Sequence, residues 1–386
     1  MWPTVLLLAL LVATDAATIK ACSSRPSDPG QPGATPSPGP GGDTFVTDDS
    51  VRFRVETVAT NLSIPWSMAF APDGRLFVTE RPGRVRILNL TTRATELALT
   101  VDDVRAEGEG GLLGLALDPA FAQNGFVYLY YTATVAGGGI NRVVRYREVA
   151  NRLAERVVLL DGIPASAIHD GGRLRFGPDG LLYVTAGDAA NTSLAQDLAS
   201  LAGKILRINR DGTTPRDNPF GSPVWSYGHR NPQGVDWHPA TGEMWESEHG
   251  NVGNDEINVI EAGVNYGWPR IEAAATLPGM QTPVAFYAPS IAPSGASFYR
   301  GQRFPAFVDN FFVATLRGSH ILRVRTSGRT LVSQERLLDD RFGRIRDVVS
   351  GPDGLIYFCT SNNDGRGSIS NGDDRIARLV PDRGQS

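Results

Sequence analysis

Four segments of this chain carry side chains suited to chemistry. His169 stands in Ile168-His169-Asp170-Gly171-Gly172, just before a β-rich run that ends in Ala186-Gly187-Asp188. Histidine is the side chain best suited to accept a proton near neutral pH, and a carboxylate such as Asp188 would orient or charge-stabilise it. A turn residue on a glycine-rich edge is the plainer alternative. Tyr227-Gly228-His229-Arg230-Asn231-Pro232 sets Arg230 beside Asn231: a planar fork for carboxylate or quinone oxygens next to a neutral donor. An arginine paired between structural elements would look the same. In Gly343-Arg344-Ile345-Arg346-Asp347, extended backbone puts Arg344 and Arg346 on one face, which is tolerable when an anion or neighbouring acids neutralise them. An exposed surface strand is the competing reading. Arg317, at the end of an earlier β-rich run, adds a third cation. Finally, Glu246 to Glu256 (ESEHGNVGNDE) reads as an oxygen-rich loop after a strand, suited to a hard cation such as Ca²⁺ but without EF-hand spacing. A solvated acidic loop fits its composition equally.

What positions these residues is a repeat. An apolar residue, Pro-Asp-Gly or a relative, and a β-rich run recur in FAPDGRLFVTE, FGPDGLLYVTAGD and SGPDGLIYFCTS. Looser copies are LDPAFAQNGFVYLYYT, WHPATGEMWESEHG and FPAFVDNFFVATLRG. Their prolines (Pro72, Pro119, Pro178, Pro239, Pro305 and Pro352) make six copies, about 50 residues apart. Pro-Asp-Gly is turn chemistry, and the alternating apolar residues that follow predict half-buried strands. The spacing predicts an all-β, six-bladed β-propeller with four-stranded antiparallel blades over 46–383. Val51–Thr60 and Arg375–Val380 alternate and are expected to share the blade that closes the ring. Loops leaving the strands at one end of such a ring converge on its axis, where the residues above would meet.

Composition agrees. The chain of 386 residues is 41% hydrophobic and 20% charged, with 43 Gly and 26 Pro, which suits many short strands better than long helices. A net charge of −4 argues against a general nucleic-acid or anionic-membrane binder. Two cysteines, Cys22 and Cys359, provide neither a disulfide framework nor a thiolate metal cluster. The apolar run TVLLLALLVA is too short to span a bilayer and reads as an export signal over 1–21. Residues 22–45, rich in Pro, Gly and Ser, read as a disordered tether. Cys22 at its start offers a lipid-anchor site, against the alternative of an ordinary secreted leader. Either way the protein is expected to be exported, periplasmic or attached to the cell envelope.

The runs PWSMAFAPDGRLFVTER, GEGGLLGLALDPAF, GRLRFGPDGLLYVTAGD, GKILRINRDG, YGHRNPQG, EHGNVGNDEINVI, NYGWP and GRIRDVVSGPDG lie between about Pro65 and Gly365. In this order they resemble the soluble aldose sugar dehydrogenases that depend on pyrroloquinoline quinone (PQQ), relatives of soluble quinoprotein glucose dehydrogenase. The resemblance implies oxidation of aldose sugars at C1 by PQQ and calcium. His169 would be the general base, Asp188 its support, and Arg230 and Asn231 contacts to the quinone side. Arg344 and Arg346 would hold the cofactor's carboxylates. The carbonyls of Gly250 and Asn251 would ligate the calcium that bridges to PQQ, and Glu256 and Tyr266 would belong to a second, structural calcium. The electron acceptor is left unspecified, as is a monomeric or dimeric state.

Two positions depart from the pattern. Arg317 stands where relatives place a cofactor-contacting lysine, and it lacks that group's ability to give up a proton. Glu109, in Gly108-Glu109-Gly110-Gly111, stands where they commonly have glutamine. A carboxylate there would repel an anionic cofactor unless protonated or bonded to an arginine. Rival readings are a calcium-dependent propeller hydrolase such as a lactonase, whose axis would be dominated by carboxylates and amides, and a non-catalytic propeller scaffold.

Overall fold

The chain's computed structural model describes Met1 and residues 43–382. The export signal and almost all of the tether, Cys22 included, lie outside the described residues. Six antiparallel sheets follow one another along the chain as the blades of a propeller. Blade 1 spans 65–100, blade 2 112–164, blade 3 174–227, blade 4 232–287 and blade 5 293–337, each of four strands in sequence order from the axis outward. Blade 6 takes its three inner strands from Ile345–Ser350, Ile356–Thr360 and Ile376–Pro381, and its fourth from Arg52–Ala59 near the other end of the chain. This is the closure expected from the two alternating segments. The short strand Phe45–Val46 adds a fifth member and begins at the last residue assigned to the tether. Among the described residues, no helix is long and apolar enough to cross a membrane.

Every copy of the repeat is the turn from a blade's first strand to its second. In the three Pro-Asp-Gly copies, Gly74, Gly180 and Gly354 have φ of 86°, 74° and 76°, a region glycine enters without Cβ strain. The preceding aspartates close each turn, with Asp73, Asp179 and Asp353 Oδ1 accepting from the backbone N–H two residues on, at 3.0–3.1 Å.

Five of the strands that follow these turns are buried throughout, and Phe126–Val135 is buried except at its ends, not half-buried as the alternation suggested. The reason is that each sheet is packed on both faces. Phe77 points into the apolar cluster shared by blades 1 and 2, while Leu76 and Val78 enter the one shared with blade 6. Tyr183 and Trp245 part from their neighbours Val184 and Met244 in the same way. Period-two alternation thus sorts side chains between two cores.

The axis is polar. Arg173 is fully buried, over the Trp66 ring at 4.3 Å, and its Nε donates to the Gln233 carbonyl at 2.8 Å. Asp347, equally buried, lies 3.2 Å from Arg173 Nη1 and accepts from Met68 N at 2.9 Å. This pair joins blades 1, 3 and 6. Removing one member of a buried pair strands the other's charge, so Asp347→Ala is expected to lower the unfolding free energy by about 3–5 kcal/mol. Urea denaturation measures it, and a loss under about 1 kcal/mol would show that the pair does not hold the axis.

Candidate active site

At one end of the axis, the loops that leave second strands meet those that enter first strands. Arg81, His249 and Arg317 come from the former; Asp170, Gly171 and Arg344 come from the latter. With Trp66, Glu109, Arg346, Asp364 and Arg366 they line a single cavity.

His169 adjoins this cavity through Asp170 and Gly171. Its φ of 66° is unusual for a side chain with a Cβ, and the surroundings enforce it. Its N–H donates to Glu109 Oε2 at 3.0 Å, and its carbonyl accepts from Ala189 N at 3.2 Å. A Cβ on Gly187 would stand 2.0 Å from that carbonyl oxygen, so only glycine permits the approach. The imidazole Nδ1 lies 2.7 Å from Asp188 Oδ1. Asp188 is fully buried, and its other oxygen accepts from Trp268 Nε1 at 2.8 Å. A carboxylate only accepts, so in the neutral imidazole this contact selects the tautomer with its proton on Nδ1, which leaves the Nε2 lone pair free. Among the described residues Nε2 has no hydrogen-bond partner.

Arg230 and Asn231 lie against this pair. Asp188 N donates to the Arg230 carbonyl at 2.8 Å, and the Arg230 guanidinium rests over the Trp268 ring at 5.3 Å. Asn231 Oδ1 accepts from Gly171 N at 3.0 Å, while its buried Nδ2 has no partner. Arg344 and Arg346 converge on one carboxylate, Asp364 Oδ2, at 2.8 and 3.5 Å, although Arg344 stands just before the strand Ile345–Ser350 and Arg346 in a shift of its register. Arg317 is exposed at the rim and makes no side-chain bond among the described residues.

Glu109 meets the condition its position demanded. Its Oε1 accepts from Arg366 Nη1 at 2.8 Å, across the mouth of the cavity. Burial alone would raise its carboxyl, but nearby His249, the His169 N–H and Arg366 hold it down at about 2.

The acidic segment needs a correction. Glu246 and Glu248 are not loop residues: they belong to the strand Met244–Glu248 and are buried, because both faces of that blade are covered. Glu256 begins the pairing of the next strand, directly across from Glu248. Burial, and then Glu248, pushes Glu256 up to about 8 and Glu246 well above the ordinary carboxyl range. His229, Glu246 and Glu248 offer ligand atoms within 4.8 Å of one another, and the Tyr266 ring stacks on His229 at 4.8 Å. The remaining loop holds Gly250 and Asn251, whose carbonyls accept no hydrogen bond among the described residues. Gly250 N donates to Asp255 Oδ1 at 2.9 Å, and a Cβ on Gly250 would meet Gly253 O and Asn254 O at 2.2 Å.

Sequence reasoning missed Trp268, Asp364 and Arg366. Trp268 lies in NYGWP and the other two in an Asp-Gly-Arg turn, so composition marked the loops but not the contacts.

The lining suits a ligand with several carboxylates. Arg81, Arg317, Arg344, Arg346 and Arg366 face three acids, Glu109, Asp170 and Asp364. Buried Nε atoms of Arg81, Arg230 and Arg346 have no partner, nor has His249 Nε2. Orphaned donors of this kind are costly unless a ligand or water satisfies them. The two open carbonyls nearby suit a hard cation.

Residues 62–370 match the glucose / sorbosone dehydrogenase family. The aldose sugar dehydrogenase YliI of Escherichia coli is 34% identical over 338 residues, covering 81% of this chain and 91% of that protein. Quinoprotein glucose dehydrogenase B of Acinetobacter calcoaceticus is 32% identical over 298 residues, 68% of this chain and 59% of the relative. The PQQ-bound form of an aldose sugar dehydrogenase from Streptomyces coelicolor superposes with a TM-score of 0.79 at 37% identity, covering 86% of this chain and 99% of that one. A propeller of six blades, with a histidine–aspartate pair beside an arginine-rich cavity, is thus the frame of a sugar-oxidising enzyme, and the chain belongs to the glucose / sorbosone dehydrogenase family.

Proposed function

We propose that this chain oxidises aldose sugars at C1 to lactones, using PQQ and calcium. The observation that carries the reading is the His169–Asp188 pair, 2.7 Å apart, set beside a cavity with five arginines. A hydrolase with an axial metal would surround it with carboxylates and amides instead.

Arg344 and Arg346 would hold cofactor carboxylates, with Arg317 at the rim and Arg230 and Asn231 as contacts to the quinone. Gly250 and Asn251 would offer carbonyls to the catalytic calcium, and Glu256 and the Tyr266 carbonyl would hold a second calcium. When bound, PQQ would supply a two-electron acceptor for the C1 hydride and calcium a Lewis acid beside it. The chain's own part is proton transfer and positioning. His169 Nε2 takes the C1 hydroxyl proton as the C1–H bond breaks, leaving the lactone carbonyl. Asp188 holds the imidazole in the accepting tautomer and stabilises the positive charge that arrives, while Trp268 fixes Asp188.

Reconstitution tests this. Apo-protein with both PQQ and Ca²⁺ is expected to reduce an artificial electron acceptor when aldoses are added, and to lose that activity without either component. No reduction across an aldose panel would overturn the assignment. Lactone cleavage without an electron acceptor would favour the hydrolase.

A further inference from the structure

We propose that Asp170 takes up a proton when the anionic cofactor enters the cavity, so that cofactor affinity is linked to protonation of this one carboxyl. The inference rests on the PQQ reading above.

Asp170 adjoins His169, lines the cavity and is 2% exposed. Its Oδ1 accepts from Asn141 Nδ2 at 2.9 Å and Ser166 N at 3.3 Å, whereas the buried Oδ2 has no partner. Its backbone carbonyl takes the Tyr130 hydroxyl at 2.8 Å. The other two carboxylates of the lining are ion-paired, Glu109 with Arg366 and Asp364 with Arg344 and Arg346. Among the described residues Asp170 has no such cation.

The ionisable groups around it are Glu109, His169 and the Tyr130 hydroxyl at close range, and Asp364, His249, Arg81, Arg317, Arg344, Arg346 and Arg366 around the cavity. Burial is the largest influence and Glu109 adds to it; together they push Asp170 up to about 6 against the pull of its hydrogen bonds and His169. Its proton is therefore exchangeable near neutrality before any ligand arrives. A tricarboxylate brings further negative charge into a site of low dielectric, which disfavours the ionised form. Protonation also relieves the buried Oδ2, which among the described residues has no donor to satisfy it as an ionised oxygen.

The sign follows from linkage. If the bound state holds the proton more tightly, affinity is greatest below about pH 6 and weakens as pH rises, by up to tenfold per unit, until the bound state also ionises. Titration calorimetry of PQQ into the calcium-loaded protein, in two buffers of different ionisation enthalpy, counts the protons. We expect uptake approaching one proton per PQQ at pH 7, falling toward zero at pH 5. Asp170→Asn is expected to abolish uptake and flatten the pH dependence of Kd. Binding at pH 7 without uptake overturns the proposal, and so does uptake that survives in Asp170→Asn but vanishes in His169→Gln. Should the asparagine variant not fold, the wild-type pH series decides alone. A chain that binds no PQQ at any pH overturns the cofactor reading itself, which is a different result from binding without a proton.

Discussion

His169→Gln is expected to reduce turnover by roughly 10²- to 10⁴-fold, the usual worth of a positioned general base, while PQQ still binds. Glutamine approximates histidine in length, and its backbone can keep the bonds to Glu109 and Ala189. It has no basic nitrogen. What disappears is therefore the acceptor for the C1 hydroxyl proton. The effect belongs in kcat and kcat/KM together, since the missing interaction forms only as the proton moves. Steady-state rates with saturating PQQ and Ca²⁺, alongside a separate PQQ titration, separate loss of chemistry from loss of cofactor. Turnover within tenfold of the parent would remove His169 from the base role. Asp188→Asn should give a loss of similar size with a distinct origin, because an amide can present its N–H to Nδ1 and favour the tautomer whose Nε2 is already protonated.

The ring of blades was legible because its signal is local and repeated. Pro-Asp-Gly turns work through φ preferences that any copy reveals, and six copies count the blades. The site was legible in part for the same reason: His169, Asp188 and Arg317 flank repeat strands, so their convergence follows from the architecture. Arg344 and Arg346 were readable as a pair through their alternate spacing, and Asp364 supplies the neutralising acid that such a pair requires. Two things were not readable. Glu246 and Glu248 looked like loop acids because nothing in a single strand reports that a neighbouring blade will cover its second face. Trp268 binds Asp188 from 80 positions away, and Arg366 reaches Glu109 across 257. Such contacts depend on which loops the closed ring brings together. The closing strand is the instructive exception, since Arg52–Ala59 and Ile376–Pro381 are equally distant yet both show unpartnered alternation.

Arg344→Ala should weaken PQQ binding far more than calcium binding. The guanidinium lies 2.8 Å from Asp364 Oδ2 and is 12% exposed, so its charge acts where water screens poorly. A hydrogen bond between charged groups contributes about 1.5–3 kcal/mol, which predicts a rise in the PQQ Kd of roughly 10- to 150-fold. Calcium, measured without PQQ, should change by less than about twofold, because Gly250 and Asn251 sit on a different loop and Asp255 pins that loop. Arg344→Lys should recover part of the affinity, since it restores the charge without the fork. Asp364 gives the experiment its internal check: truncation leaves Arg346 as its remaining ion-pair partner, beside the Arg366 N–H on Oδ1, so more of its negative charge bears on the incoming ligand. Replacing Asp364 with asparagine in the Arg344→Ala background should then regain affinity. Equal losses of PQQ and calcium, or a lowered unfolding midpoint with unchanged PQQ affinity, would show instead that the arginine pair supports the fold.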